Sequence, residues 1–201
     1  MDIPLFDPQP ITMRFDDGWI FYDPFFLNNE KSDFYLAYLT NIVPWQQYQV
    51  RVFGKWQNQP RLTALYGNHG LAYTYSSLRL EAIPWTLPML ELKKSIEYAC
   101  EAEFNTALLN FYRNGRDSMG WHSDDEVSLG INPIIASLSL GAERKFMLRH
   151  KSDRQQKKSF PLRHGSLLLM GGALQHHWQH QLPKTKEAAP RINLTFRKLV
   201  T

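Results

Sequence analysis

The sequence predicts a mostly β fold with flanking helices, in which two helices pack against a C-terminal β-barrel or jelly roll. The first observation is a series of strand-length segments after residue 105, each bounded by glycine, proline or charged residues. The second is a pair of helical patterns in the N-terminal half. Several short strands in series are typical of sandwiches and barrels. The 201 residues suffice for one domain, so we expect residues 1–201 to form it.

Two segments have helical spacing. Residues 28–42 begin with an asparagine that can cap a helix, and residues 87–104 place Pro88 in a first turn. The apolar face expected for the first helix comprises Phe34, Tyr38, Leu39 and Ile42. The stripe expected for the second comprises Leu92, Ile96 and Ala99 or Cys100.

The strands are predicted from alternation and from short apolar runs. Residues 47–56 alternate apolar and polar side chains, which predicts a strand that runs into a turn at Gly54. Later strands are expected in residues 107–112, 133–140, 145–150, 165–170 and 191–200.

Composition excludes several classes of protein. Hydrophobic residues make up 43% of the chain, which is typical of a globular protein, and no apolar run approaches the length of a membrane span. The first residues lack the pattern of a signal peptide, and Cys100 as the sole cysteine permits no internal disulfide. We therefore expect a cytoplasmic protein, or a nuclear one in a eukaryote. The net charge of +4 permits nucleic-acid binding without requiring it.

His122 and Asp124 are candidate metal ligands. At positions i and i+2 they lie on the same side of an extended segment, where both can donate a lone pair to one divalent cation. One further histidine would complete a two-His, one-carboxylate facial triad, which leaves positions open on iron(II) for a cosubstrate and dioxygen. Spacing alone does not choose this ligand among His176, His177 and His180, and a capped turn would give the same short motif.

The segment from Arg191 to Arg197 alternates strictly. Arg191, Asn193, Thr195 and Arg197 share one face of a strand, and apolar residues form the other. Two arginines projecting into a barrel would suit a small dicarboxylate, because guanidinium groups bind carboxylates bidentately. An edge strand with a solvated polar face is the alternative.

Taken together, these motifs resemble the AlkB family of iron(II)- and 2-oxoglutarate-dependent dioxygenases, and within it the branch that repairs alkylated bases in duplex DNA. The resemblance covers about residues 45–198 and rests on His122-Ser-Asp124, a distal His180, and Arg191 and Arg197 in the ending PRINLTFRK. It implies a double-stranded β-helix (jelly roll) core with an N-terminal helix and hairpin extension for nucleotide recognition, placed in residues 45–85.

The resemblance also implies cofactors and their ligands. His122, Asp124 and His180 would bind iron(II), and Arg191 would pair with a carboxylate of 2-oxoglutarate. The other side chains implied at the cosubstrate are Asn110, Tyr112, Asn193, Thr195 and Arg197. With dioxygen as cosubstrate, an N-alkyl carbon would be hydroxylated, and the hemiaminal would release an aldehyde and the unmodified base.

The implied partner is alkylated duplex DNA bound by a monomer. A base methylated on its pairing edge must leave the stack, and the apolar hairpin tip Val52-Phe53-Gly54 would fill the gap. Further DNA contacts are implied for Arg61, Tyr73, Tyr75, Ser76, Asp125, Glu126, Arg149 and Lys151. Asn68 and Ser77 depart from the family pattern, which leaves the choice between methyl and etheno lesions open.

Two alternatives remain on sequence grounds. One keeps the fold and cofactors but acts on alkylated RNA or single-stranded DNA, against which the predicted wedge argues. The other is an inactive oxygenase fold that only binds damaged nucleic acid, which would predict a broken triad or lost arginines. This chain keeps them all.

Overall fold

The computed structural model describes residues 9–52, 54–75 and 78–200. The N-terminal half contains β1 (Ile11–Phe15), β2 (Gly18–Asp23), α1 (Asn29–Ile42), β3 (Gln49–Val52), β4 (Lys55–Asn58), β5 (Leu62–Gly67), β6 (Ala72–Tyr75), β7 (Leu78–Glu81), β8 (Ile83–Pro84) and α2 (Leu87–Cys100). The C-terminal half contains β9 (Thr106–Tyr112), β10 (Met119–His122), β11 (Ile135–Gly141), β12 (Arg144–His150), β13 (Lys157–Leu162), β14 (Leu167–Gly171), α3 (Leu174–His177), β15 (Trp178–Leu182) and β16 (Arg191–Arg197).

Two sheets form the body of the fold. The larger has the strand order β1-β2-β14-β11-β16-β9-β5-β8, and the smaller has the order β10-β15-β12-β13. One apolar core joins α1 and α2 to one face of the large sheet, and it includes Leu39, Ile96, Leu138 and Leu194. A second core includes β12 and β13 side chains together with those of β2, β11 and β14. The large sheet is therefore covered by helices on one face and by the small sheet on the other, as a jelly roll requires.

Strand β16 lies in the middle of the large sheet. It pairs with β11 on one side and β9 on the other, and all seven of its residues are buried. Its apolar residues Ile192, Leu194 and Phe196 enter the helix-side core. The predicted alternation is confirmed, and the alternative of a solvated edge strand is wrong, since both edges of β16 are paired.

Helix α1 begins as predicted but buries a different face. Asn28 Oδ1 accepts a hydrogen bond from Lys31 N and caps the helix. Of the predicted apolar face Leu39 is buried, whereas Phe34 and Ile42 are more than half exposed. The buried residues are Ser32, Tyr35 and Leu39. Apolar spacing misled here because a small serine and an amphipathic tyrosine occupy the face toward the sheet.

Helix α2 follows its prediction more closely. Leu92 and Ile96 are buried together with Met89, and Pro88 lies in the first turn. The helix ends at Cys100 rather than continuing to residue 104, because Glu101 adopts a left-handed conformation with φ of 49°. The Cys100 thiol is half-buried, and burial raises its pKa to about 11, which favours the predicted packing role.

Two hairpins occupy much of residues 45–85. Strands β3 and β4 pair with each other, as do β6 and β7. The elements that were not predicted from the sequence include β1, β2, β13, β15 and the short α3. Among the described residues, no helix combines the length and apolar character that crossing a membrane requires.

Candidate active site

A cavity of about 120 Å³ lies between the two sheets, and we call it the central cavity. Strands β9 and β16 of the large sheet line one side, and β10 and β15 of the small sheet contribute the other. The polar side chains on its wall include Asn110, Tyr112, His122, Asp124, His180, Arg191, Asn193, Thr195 and Arg197. These are the residues that sequence analysis assigned to iron and 2-oxoglutarate, so the fold brings all nine to one enclosure.

Three metal-ligand side chains converge at this cavity. His122 ends β10 opposite His180 in β15, and their ring centroids lie 4.1 Å apart. One ligand atom each from His122, Asp124 and His180 lies within 4.8 Å of the other two. His122 Nδ1 lies 2.8 Å from Gly120 O. Because a carbonyl only accepts, Nδ1 carries the proton and Nε2 keeps a free lone pair.

The triad is held in the protonation states that a metal requires. Burial would raise the pKa of Asp124, but Arg197, His180 and His122 outweigh it and lower its pKa to about 2. Burial, the neighbouring His122 and Arg197 lower the pKa of His180 to about 3, and burial lowers the pKa of His122. At neutral pH the site offers one carboxylate and two neutral imidazoles, the donor set of a facial triad.

Arg197 forms an ion pair with the Asp124 carboxylate. Its Nη2 donates to Asp124 Oδ2 at 2.8 Å, and both side chains are buried. Burial would lower the pKa of Arg197, but Asp124 and Tyr73 outweigh it and raise it. Nε and Nη1 of Arg197 are buried and find no partner among the described residues. Buried donors of this kind are costly unless a ligand or water pairs with them.

Arg191 stands at the other end of β16 and is 2% exposed. Its Nη2 donates to Ser139 Oγ at 2.9 Å, while its buried Nε has no partner among the described residues. Its guanidinium lies 5.3 Å from the ring centroid of Tyr112. Burial lowers its pKa to about 10, so it remains a cation at neutral pH. An anionic ligand would stabilise this buried cation and accept from its unpartnered Nε.

The side chains between the two arginines form a hydrogen-bonded row. Asn193 donates to Ser137 Oγ at 2.8 Å and accepts from Thr195 Oγ1 at 3.0 Å. Asn110, opposite Asn193 on β9, accepts from Arg61 Nε at 2.8 Å. Arg61 is 4% exposed and points at the cavity wall, so in this structure it contacts Asn110. Its implied DNA contact stays a prediction.

Tyr73 and Glu126 also line the central cavity. Tyr73 is buried and donates a hydrogen bond to Glu126, whose pKa is raised by burial and by Asp124. Burial raises the pKa of Tyr73, so its hydroxyl stays protonated. The structure thus places two of the implied base contacts beside the triad.

The remaining implied DNA contacts lie outside the cavity. Asp125 is exposed and pairs with Lys151 Nζ at 2.9 Å. The guanidinium of Arg149 lies 4.1 Å from the Trp121 ring centroid, and it donates to Gln179 Oε1. Arg149 and Lys151 therefore lie at the C-terminal end of β12, and neither lines the central cavity. Each already has a protein partner.

The two hairpins carry the other implied contacts. Gly54 is exposed in the β3–β4 turn with φ of 79°, and nothing would meet a Cβ there within 4 Å. Val52 and Tyr75 end their strands, and their side chains are not described. Phe53 and Ser76 lie outside the described residues.

Some supporting residues were not foreseen. Gln175 Oε1 accepts from Asp124 N at 3.0 Å, and no local signal marks this glutamine. Ser137 and Ser139, which hold Asn193 and Arg191, alternate with Leu138 in β11. That alternation was visible in the sequence and could have indicated a polar inner face.

The residues present fit iron(II) and 2-oxoglutarate. The triad supplies the imidazole and carboxylate donors that suit iron(II). The unpartnered donors on Arg191 and Arg197 suit carboxylates, to which guanidinium groups donate in charge-assisted pairs. The triad therefore fits iron(II), and the two buried guanidinium groups fit the carboxylates of 2-oxoglutarate.

Comparison with known proteins agrees with this donor set. Residues 20–197 match the model of the 2OG-Fe(II) oxygenase superfamily. The chain is 45% identical over 87% of its length to alpha-ketoglutarate-dependent dioxygenase alkB homolog 3 of Mus musculus, covering 64% of that protein. It is 45% identical over 76% of its length to DNA oxidative demethylase ALKBH2 of Homo sapiens, covering 61%.

The chain thus spans just under two thirds of these two relatives. A solved structure titled "The structure of OsALKBH1" superposes with a TM-score of 0.64 at 17% identity, over 94% of this chain and all of that one. At this identity the likeness supports the fold alone, which agrees with the predicted jelly roll. From the family match and the converged triad, we conclude that the chain belongs to the 2OG-Fe(II) oxygenase superfamily.

Proposed function

We propose that this protein is an iron(II)- and 2-oxoglutarate-dependent dioxygenase that removes alkyl groups from bases in duplex DNA. The observation that carries the proposal is the convergence of His122, Asp124 and His180 on a cavity where Arg191 and Arg197 keep buried, unpartnered donors. The preferred substrates are 1-methyladenine and 3-methylcytosine, with etheno adducts as further candidates.

The chain's residues divide this work. Arg191 binds and orients 2-oxoglutarate, and Arg197 keeps Asp124 ionised as an iron ligand. When bound, iron(II), 2-oxoglutarate and dioxygen supply the oxidation that hydroxylates the N-alkyl carbon. The buried walls of Tyr73 and Phe146 exclude water from the reacting carbon.

Base recognition is assigned to Glu126 and Tyr73 on the wall of the central cavity. Glu126 is half-buried beside Asp124, and a carboxyl group there can accept from or donate to the polar edge of a base. Tyr73 holds Glu126 in place through its hydroxyl. The exposed Asp125 is paired with Lys151, so we assign it a smaller part in recognition.

Entry of a paired base requires that it leave the stack. The β3–β4 hairpin supports this step, because each described side chain of β4 is exposed and Trp56 is 68% exposed. An apolar tip on such a hairpin is costly in water and is stabilised when it enters DNA. The proposed wedge is the sequence Val52-Phe53-Gly54.

The decisive experiment compares defined lesions in two contexts. The anaerobically purified protein, supplied with iron(II), 2-oxoglutarate and oxygen, is incubated with duplexes or single strands that carry one 1-methyladenine. We expect the mass of the DNA to fall by one CH2 for each repaired base. We also expect repair to be faster in the duplex than in the single strand. Equal or faster repair in single-stranded DNA or RNA would replace the duplex assignment. Succinate formation without repair would refute dealkylation.

A further inference from the structure

A second group of metal-ligand side chains lies on the surface, outside the central cavity. Asp17 Oδ2 lies 3.1 Å from His150 Nε2, and Asp17 Oδ1 lies 3.9 Å from His177 Nε2. One ligand atom from each of these residues lies within 4.8 Å of the other two. We call Asp17, His150 and His177 the surface cluster. It shares no residue with the triad.

Three separate chain segments build the surface cluster. Asp17 lies in the turn between β1 and β2, His150 ends β12, and His177 ends α3. The imidazole rings of His150 and His177 are nearly parallel, with an interplanar angle of 6° and centroids 6.2 Å apart. Both rings thus present an Nε2 atom to the same carboxylate.

The backbone holds two of these segments in close contact. A Cβ on Gly18 would lie 2.4 Å from Gly171 O and 3.1 Å from Leu174 N, and a Cβ on Gly172 would lie 2.8 Å from the Gly18 Cα. Only glycines permit this approach. Asp17 is therefore held against the start of α3, the helix whose last residue is His177.

The third donor is fixed by packing. The His150 ring meets Trp178 edge to face, with centroids 5.2 Å apart at 84°. Side-chain exposure increases from 13% at His150 to 26% at Asp17 and 49% at His177. The surface cluster is therefore packed against the protein at His150 and open to solvent at His177, where water can supply a fourth ligand.

The distances suit a small tetrahedral ion. Ligand bonds of about 2.0–2.1 Å to Zn²⁺ place neighbouring donor atoms roughly 3.3 Å apart. The separations of 3.1 Å from His150 Nε2 to Asp17 Oδ2 and 3.9 Å from His177 Nε2 to Asp17 Oδ1 lie on either side of this value. Two imidazoles, one carboxylate and one water form a common Zn²⁺ donor set.

The hydrogen bonds of the His150 ring are compatible with metal binding at Nε2. Without an ion, Asp153 N donates to His150 Nδ1, so Nε2 carries the ring proton and donates to Asp17. When Nε2 binds an ion, the ring proton moves to Nδ1, where Ser152 Oγ lies 3.0 Å away and can accept it. Asp153 is exposed, so water can replace its lost acceptor. A hydrogen bond at the remote nitrogen is the usual support of a metal-bound histidine.

We propose that the surface cluster binds a divalent transition-metal ion of the Zn²⁺ type, and that this ion fixes the segment that follows His150. Lys151 N donates to His177 O at 2.7 Å, and Lys151 Nζ donates to Gln175 O at 3.1 Å. An ion bound by both His150 and His177 would add a second link between the end of β12 and α3, beside the two hydrogen bonds that Lys151 donates. The metal site does not depend on the substrate proposed above.

A matrix of variants tests the site, because the triad offers the same donor types. Zn²⁺ bound per chain is measured by equilibrium dialysis for wild type, His177→Ala, His122→Ala and the double variant. We expect wild type to bind one ion more than either single variant, and the double variant to bind none tightly. His177 is half exposed, so its truncation should leave the fold intact.

Matched variants separate ligation from nearby charge. His176→Ala removes an exposed histidine that is adjacent in sequence and lies outside the cluster, and it should leave the count unchanged. Asp17→Asn keeps the side-chain size and should lower Zn²⁺ affinity in the His122→Ala background by at least tenfold. Equal binding by wild type and His177→Ala would overturn the proposal, as would an effect of His176→Ala equal to that of His177→Ala.

Hydrogen exchange tests the consequence for the segment. In the His122→Ala background, Zn²⁺ should slow amide exchange in residues 150–156, and His177→Ala should abolish this protection. If Zn²⁺ binds but amide exchange in residues 150–156 does not slow, the ion does not fix this segment, and only the metal site itself stands. Because no DNA is used, failure here is distinguishable from failure of the repair function.

Discussion

Arg197 and Asp124 form a buried ion pair in which the guanidinium Nη2 lies 2.8 Å from the carboxylate Oδ2. The residues are 73 positions apart, and both belong to the wall of the central cavity. The pair keeps Asp124 ionised with one oxygen engaged, which leaves the other oxygen for the metal. Arg197 is thus a positioning residue for the triad.

The triad should tolerate no truncation. His122→Ala, Asp124→Ala and His180→Ala should each abolish turnover while circular dichroism shows a retained fold, because each removes one of three ligands. His176→Ala is the control, since this exposed histidine lies outside both metal groups. Full activity in His180→Ala would contradict the ligand assignment.

Arg191→Met should weaken 2-oxoglutarate binding while leaving duplex affinity nearly unchanged. Losing one partner of a buried charge pair costs roughly 2–5 kcal/mol, so the dissociation constant should rise at least about thirtyfold. Calorimetry with the metal-loaded protein measures this. Arg163→Met, which removes a partly exposed arginine near Phe25, is the matched control. An unchanged constant for Arg191→Met would disprove the role.

The metal-free protein should lose stability on acidification through His180. The folded pKa of His180 is lowered to about 3 from an ordinary value of 6.5. As pH falls below 6.5 the unfolded state takes up a proton that the folded state does not, so stability decreases between about 6.5 and 3. From pH 7 to pH 5 this amounts to about 2 kcal/mol.

Denaturant unfolding at both pH values, with a chelator present, measures this loss. His180→Asn removes the titrating group and should show a smaller decrease than wild type. Parallel decreases in the two proteins would mean that other groups carry the acid sensitivity.

Arg149 near the end of β12 and Lys151 just after it should contribute electrostatically to DNA affinity. Replacing Arg149 and Lys151 by methionine should weaken binding to all duplex sequences alike. The slope of log affinity against log salt should become shallower by about 0.9 for each lost phosphate contact. Lys94→Met, on the exposed face of α2, is the control. An unchanged slope would mean that Arg149 and Lys151 serve only their contacts within the protein.

Phe53→Ala should slow repair in duplex DNA by about tenfold or more and change single-strand repair little. A ring that fills the vacated stack contributes roughly 1–3 kcal/mol, and a single strand has no such gap. The ratio of duplex to single-strand rates measures the effect, with Phe34→Ala on exposed α1 as control. Equal losses on both substrates would make Phe53 a packing residue and favour the single-strand or RNA alternative.

The sequence alone determined what depends on local periodicity. The alternation from Arg191 to Arg197 predicted the cavity-lining face because a strand repeats every two residues, and the asparagine before α1 predicted its cap. The resemblance singled out His180. Local spacing did not, because what distinguishes His180 from His176 and His177 is its surroundings in the folded structure.

Only the tertiary structure decided which distant groups meet. Arg61 is buried against Asn110, and Gln175 supports Asp124 across 51 positions. Asp17 lies 133 positions before His150, yet their side chains are in contact. Such pairings depend on strand order and on the close approach of turns, which no local pattern encodes. The sequence therefore determined which side chains face inward along a strand, and the fold decided which of them share a site.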